Sequence, residues 1–221
     1  MIAQALAIAR KDLTIEARAR VSLNQVVPFA VAVIFLFAFS LDTQNAVLRQ
    51  IAPGIFWVVI TFASLFLVSR SMRIERDNGA IEGLLLAGVN PMALFLGKLV
   101  ALTVTMLVLE AVVAASIYLL FSANLGSLAL LASSLVVATI GMASVGLVYG
   151  ALASSESAGD SLLPLLVIPV LSPIVVAAAK CWSDASLGTA GVFDPWLKLL
   201  VIFSAVFTAV GAVGFAAVLE D

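Results

Sequence analysis

One polar island, residues 70–91, reads RSMRIERDNGAIEGLLLAGVNP, and the stretches on either side of it are apolar over roughly the length of a bilayer crossing. That juxtaposition restricts the possible folds more than any other feature. A charged side chain at mid-bilayer costs about 3 kcal/mol on insertion scales. Arg70, Arg73, Glu75, Arg76, Asp77 and Glu82 therefore place the island in water, and the runs beside it cross the membrane. The island reads as a charged turn, then Gly79, then a helix-compatible apolar run over 80–87. A charged turn leading into a short apolar helix at the membrane surface is a docking element for a partner.

The rest of the chain fits a polytopic membrane protein. Only 11% of its residues are charged and 63% are hydrophobic, whereas a soluble domain carries about 25% charge. Mean hydropathy is +1.22. The predicted fold is all-α, a single membrane domain over 1–221 with six transmembrane helices at about 26–41, 51–69, 92–121, 127–154, 162–179 and 196–219. Residues 1–25 carry Ile2, Leu6, Ala9, Leu13 and Ala17 at intervals of three or four, flanked by Arg10, Lys11, Arg18 and Arg20. This predicts an amphipathic helix in the interface, its cations meeting anionic lipid headgroups. The alternative is a cleavable signal peptide ending near Ser40.

Pro28 and Pro53 fit the first turns of the first two spans, where a missing N–H is tolerated. Trp57 fits an aromatic belt. Lys98, near the start of the third span, is expected to snorkel to the inner interface. Outer loops are expected over 42–50 and 180–195, with an inner loop over 155–161. Six spans put both termini on one side. With that side cytoplasmic, Arg10, Lys11, Arg18, Arg20, Arg70, Arg73, Arg76 and Lys98 are inside, against Arg49, Lys180 and Lys198 outside. The asymmetry obeys the positive-inside rule.

Several function classes drop out. There is no His, so neither the commonest general base nor the usual haem-iron ligand is present. Cys181 is the sole cysteine, which removes intrachain disulfides and cysteine metal clusters. The net charge of −2 argues against a nucleic-acid partner. No GxxxxGK[ST] phosphate loop is present, so ATP is not bound here by that route. No catalytic constellation emerges, and the chain is expected to be a non-catalytic subunit without a directly bound cofactor or metal.

Glu110 is the one acid deep in a predicted span. It reads either as a lining residue of a substrate path or subunit contact, or as a structural carboxylate bonded to a serine or threonine on a neighbouring helix. Gly146 and Gly150, with Ala143 and Ala151 nearby, form a small-residue face suited to close helix packing. Pro164, Pro169 and Pro173 interrupt the fifth span, as in a helix that bends during transport or in a static, irregular bundle. Cys181, Trp182, Phe193, Asp194, Pro195 and Trp196 are expected to cluster in the last outer loop, the tryptophans as membrane anchors.

The island and several flanking stretches resemble the haem exporter permease family CcmB. The likeness lies in Pro53-Gly54-Ile55-Phe56-Trp57-Val58, in Arg70 with Glu75, in the run GAIEGLLLA over 79–87, and in Leu96-Gly97-Lys98. It continues through Leu162-Leu163-Pro164 with Pro169, Pro173 and Ala178, and through residues 196–221. The resemblance implies a six-span permease subunit of an ABC-type complex for cytochrome c maturation in the bacterial inner membrane. It implies an ATPase partner, CcmA, that carries the ATP, membrane partners CcmC and CcmD, and haem handled by the complex and handed on through release of the chaperone CcmE. A second permease half, from the same or a different chain, would complete the assembly. Two departures stand out: Ser155, Glu156, Ser157 and Asp160 lie where relatives often carry arginines, and Ser204 stands where many carry an acid.

The island is then a coupling element. Gly79, Ile81, Leu84, Leu85 and Leu86 would enter a cleft of the ATPase, with Glu75, Arg76, Asp77 and Glu82 giving oriented polar contacts. The competing readings are a solvated loop, an ABC exporter permease for lipid, polysaccharide or drug, and a scaffold that holds other subunits without transporting.

Overall fold

A computed structural model describes residues 1–20, 22–41, 45–77, 79, 83–84, 86–123, 126–154, 159–188 and 191–220, and the regular elements among them are all helices. Helix α1 is Ile2–Ala19. It stops at Arg20, which turns left-handed at φ 51° and returns its N–H to Glu16 O at 2.7 Å. A π-helical turn, Ser22–Val26, leads into α2, Val27–Ser40, which is bent by 50° from α1 when taken with that lead-in. Pro28 occupies the first turn of α2, as its chemistry allows. The 14 residues of α2 reach only about 21 Å, so the preceding turn is needed to approach the 30 Å hydrocarbon core.

Helix α3, Asn45–Asp77, is longer than the expected span at both ends. Residues 45–50 of the loop expected over 42–50 are helical, and Pro53 lies inside the helix rather than at its start. At the other end, the charged turn of the island is not a turn. Arg70, Arg73 and Glu75 continue the helix, because no breaker intervenes before Gly79, which takes φ +58°. At 33 residues α3 is about 50 Å long, so it projects well beyond the hydrocarbon.

Within the short helix expected over 80–87, the described backbone closes helical bonds from Gly83 N to Gly79 O and from Ala87 N to Gly83 O, at 3.1 and 3.0 Å. The turn ends at left-handed Gly88 (φ +77°), with Val89 N on Leu84 O at 3.0 Å, a Schellman closure. Asn90 then caps α4, Pro91–Phe121, by accepting from Met92 N at 2.9 Å, and Pro91 opens the first turn.

Helices α5 (Leu128–Ser154), α6 (Gly159–Leu187) and α7 (Pro195–Glu220) complete the bundle. Helix α6 overruns its expected end and stops only before Gly188, which is left-handed at φ +68°. Cys181 and Trp182 are therefore helical and buried instead of sitting in an outer loop, and Trp182 packs on Phe56 at 4.5 Å between ring centroids. Asp194 caps α7, its Oδ1 accepting from Trp196 N at 2.7 Å. Among the described residues five helices are each long and apolar enough to cross a bilayer, and the count is six if the bent α1–α2 pair is one span. This is a multi-pass, all-helical membrane protein.

Helix α5 is the hub, in contact with α3, α4, α6 and α7. Its small residues set the spacing. A Cβ on Gly146 would lie 2.6 Å from Val68 Cγ2 of α3, so this glycine serves packing within the chain. Helix α6 runs unbroken through its prolines, and one of them is compensated locally. Pro173 cannot donate to Pro169 O four residues back, and Ser172 Oγ donates to that carbonyl instead, at 2.8 Å.

Candidate functional site

The polar residues of the chain gather at the ends of α3 and α4 that bracket the island. Lys98 of α4 is 1% exposed, so its ammonium is enclosed by the protein instead of snorkelling outward. Its ammonium donates inward to Glu75 Oε1 at 3.0 Å, Asp12 Oδ2 at 3.2 Å and Ser71 Oγ at 3.4 Å. Lys11 Nζ joins from α1, 2.5 Å from the same Glu75 oxygen and 3.2 Å from Asp12 Oδ1. One turn further along α1, Glu16 pairs with Arg70. The cluster thus ties three helices: α1 through Lys11, Asp12 and Glu16, α3 through Arg70, Ser71 and Glu75, and α4 through Lys98.

Burial of these charges is tolerable only because they are paired and hydrogen-bonded. Burial pulls the Lys11 ammonium down, but the Glu75 carboxylate and Asp12 outweigh it, so its pKa lies above the ordinary lysine value. Glu75 Oε2 is buried without a hydrogen-bond partner among the described residues. Glu75 lines a cavity of about 50 Å³ together with Arg70, Ser71, Lys98 and Thr105, room enough for water.

Helix α1 fits α4 at backbone distance. A Cβ on Gly97 would lie 2.6 Å from Ala5 O and 2.8 Å from Ile8 Cβ. Further along, Ala17 and Arg20 share an apolar groove with Val104 and Val108. Helix α1 therefore runs beside α4 in the same sense and is clamped to it, rather than resting on lipid alone.

This geometry redistributes the expected coupling residues. Glu75 was expected to offer its carboxylate to a partner in water. It is 1% exposed and engaged with Lys98 and Lys11. Gly79 and Leu86 are at the surface, Leu86 at 90% exposure, and Leu84 is half-buried against the core. Ile81, Glu82 and Leu85 lie outside the described residues, as do the side chains of Arg76, Asp77 and Pro164. Asp12, Glu16 and Lys98 were missed as a set. Their signal was an acidic pair four residues apart on α1, facing a lysine next to a glycine.

Glu110 is 1% exposed inside the bundle and faces Thr139 of α5, whose Oγ1 is 2.8 and 3.0 Å from the two carboxyl oxygens. The same hydroxyl is 2.7 Å from Leu135 O. Pro169 is exposed and Pro173 half-buried on α6. Among the described residues, no group of three or more His, Cys, Asp or Glu side chains is arranged to hold a metal ion.

Comparison with known proteins adds independent information. Residues 3–221 match the family described as CcmB protein. The chain is 30% identical over 211 residues to the Heme exporter protein B of Haemophilus influenzae, covering 94% of this chain and 91% of that one. It is 27% identical over 175 residues to the protein of the same description from Rhodobacter capsulatus, covering 79% and 80%. A match to the Escherichia coli K12 protein is 32% identical over 94 residues, 42% of this chain and 43% of the relative.

Proposed function

The chain belongs to the CcmB family, and from that membership we propose that it is the permease subunit of an ABC-type complex that delivers haem for cytochrome c maturation. Family membership over almost the whole chain carries the haem assignment. The missing phosphate loop argues for ATP on a separate subunit, CcmA, and the absent histidine argues that haem iron is held by another member, with CcmC and CcmD as membrane partners. ATP hydrolysis would move the membrane domain and release the haem chaperone CcmE.

The island is the coupling element of this reading. Its support is Leu86, 90% exposed on the turn that follows Gly79, between two helices joined by the buried Lys98–Glu75 ion pair. An apolar projection on a fixed base suits a cleft in a rigid partner. Charge reversal by Glu82→Arg is expected to abolish co-purification of the ATPase while membrane insertion stays normal. Retained co-purification would count against the coupling role. Deleting the gene should remove covalently bound haem from c-type cytochromes, and normal haem staining would sink the haem assignment.

In this reading the chain lies in the bacterial inner membrane, and the excess of cations on one side supports cytoplasmic termini. A periplasm-only reporter fused after Asp221 should stay silent; a clear signal would invert the topology. Glu110 is assigned to the moving interior. In Glu110→Gln the amide can donate to Thr139 Oγ1 and leave that hydroxyl free to donate to Leu135 O, so expression and folding should persist while haem delivery falls. Unchanged delivery would leave the residue a structural role only.

A further inference from the structure

We propose that Lys98 is a positioning residue that locks α1 onto both ends of the island, so that α1 moves with the coupling element as one body. The inference deepens the coupling reading and rests on it for its functional consequence, though not for the docking itself. Three observations carry it. First, Lys98 is 1% exposed and its ammonium bonds to α1 through Asp12 and to α3 through Glu75, although the lysine itself belongs to α4. Second, Arg70 and Glu16 repeat the α3–α1 link one turn away. Third, α1 approaches Gly97 so closely that even a methyl group would not fit.

The connection between α3 and α4 leaves α3 at Asp77, two residues beyond Glu75, and enters α4 at Pro91, two turns before Lys98. Its two roots are therefore joined by a single ion pair of 3.0 Å, and α1 is attached to that same pair. A push on the island is resisted at its roots and passed to α1. From there it reaches the left-handed Arg20, the π-helical turn and the first membrane helix. The turn is where the chain changes direction, so it is the natural place for the displacement to be absorbed. A buried lysine with partners on two other helices does what a surface ion pair cannot, because a solvated pair would be screened and loosely held.

The test uses the full chain in nanodiscs, with spin labels on cysteines replacing Leu6 of α1 and Val100 of α4, both exposed, and with buried Cys181 changed to Ala. Wild type is expected to give one narrow distance distribution. Lys98→Met should broaden and shift it, and Lys98→Arg should restore it. If Lys98→Met does not fold, Glu75→Gln, which keeps the side-chain shape, is expected to broaden the distribution instead. A distribution as narrow in the folded neutral variant as in wild type overturns the proposal.

The functional arm uses the assembled complex. Lys98→Met is expected to co-purify with the ATPase at the wild-type level yet lose haem-stained cytochrome c, with recovery in Lys98→Arg. Wild-type haem delivery with α1 released overturns transmission through α1. Failure of the ATPase to co-purify with the wild-type chain would sink the coupling reading alone, because the label distances need no partner.

Discussion

Lys98→Met is expected to destabilise the folded chain by about 3–5 kcal/mol, the cost of stranding buried partners rather than the worth of the pair itself. Methionine fits the volume of lysine but leaves Glu75 and Asp12 without their innermost cation, and Glu75 is 1% exposed. Lys11 still reaches Glu75 from a half-exposed position, which keeps the loss towards the lower end of the range. The sharper result is the double variant. Lys98→Met with Glu75→Leu removes both buried charges and leaves Lys11 to Asp12 and solvent, so most of the single-variant loss should return. Thermal or denaturant unfolding of the purified chain measures both. A double variant as unstable as Lys98→Met would show that packing at Lys98, not charge pairing, holds the cluster.

The parts of the fold legible in the sequence are those governed by bulk hydrophobicity. The four runs that became α4 to α7 are long and predominantly apolar, with Lys98 and Glu110 the only charges inside α4, and three of them, α4, α5 and α7, begin and end within a residue of expectation. The errors lie where helix and membrane stop at different places. Hydropathy reports where the membrane ends, whereas a helix ends only where its backbone is interrupted. Beyond Ser69 the residues Arg70, Met72, Arg73 and Glu75 are all good helix formers, so α3 continues past the apolar run to Asp77, two residues before Gly79. The same misreading set the end of α6 before Lys180, when the stop is Gly188.

The site was harder to read for a related reason. Charge in the island was assigned to water because isolated charges are costly in hydrocarbon. That cost vanishes as an argument once opposite charges arrive from elsewhere in the chain. Asp12 lies 86 residues from Lys98, and Lys11 lies 64 residues from Glu75. Pairing over such separations leaves little local trace. The interfacial helix was visible from its apolar periodicity, but its acidic face, Asp12 and Glu16, was overshadowed by the neighbouring arginines. Within the chain, that face together with Gly97 holds it against α3 and α4.

Gly97→Val separates the steric half of this clamp from its electrostatic half, and it should destabilise the chain by roughly 3 kcal/mol, the upper end of overpacking costs. The first added carbon would sit 2.6 Å from Ala5 O and within 2.9 Å of two Ile8 carbons. A backbone carbonyl cannot rotate aside as a side chain can, so α1 itself has to move. Helix propensity acts in the opposite direction, since valine is the better helix former, and any net loss is therefore assignable to α1. Displacing α1 also stretches the contact between Asp12 and Lys98, now 3.2 Å. The two halves of the clamp are consequently coupled: Gly97→Val combined with Lys98→Met should cost clearly less than the sum of the single losses. Gly214 of α7, where an added Cβ meets nothing within 4 Å, supplies the control, and Gly214→Val should be nearly neutral. Strict additivity of the Gly97 and Lys98 variants in unfolding measurements would mean that α1 is held by independent contacts, and the single-body description of α1, α3 and α4 would fail.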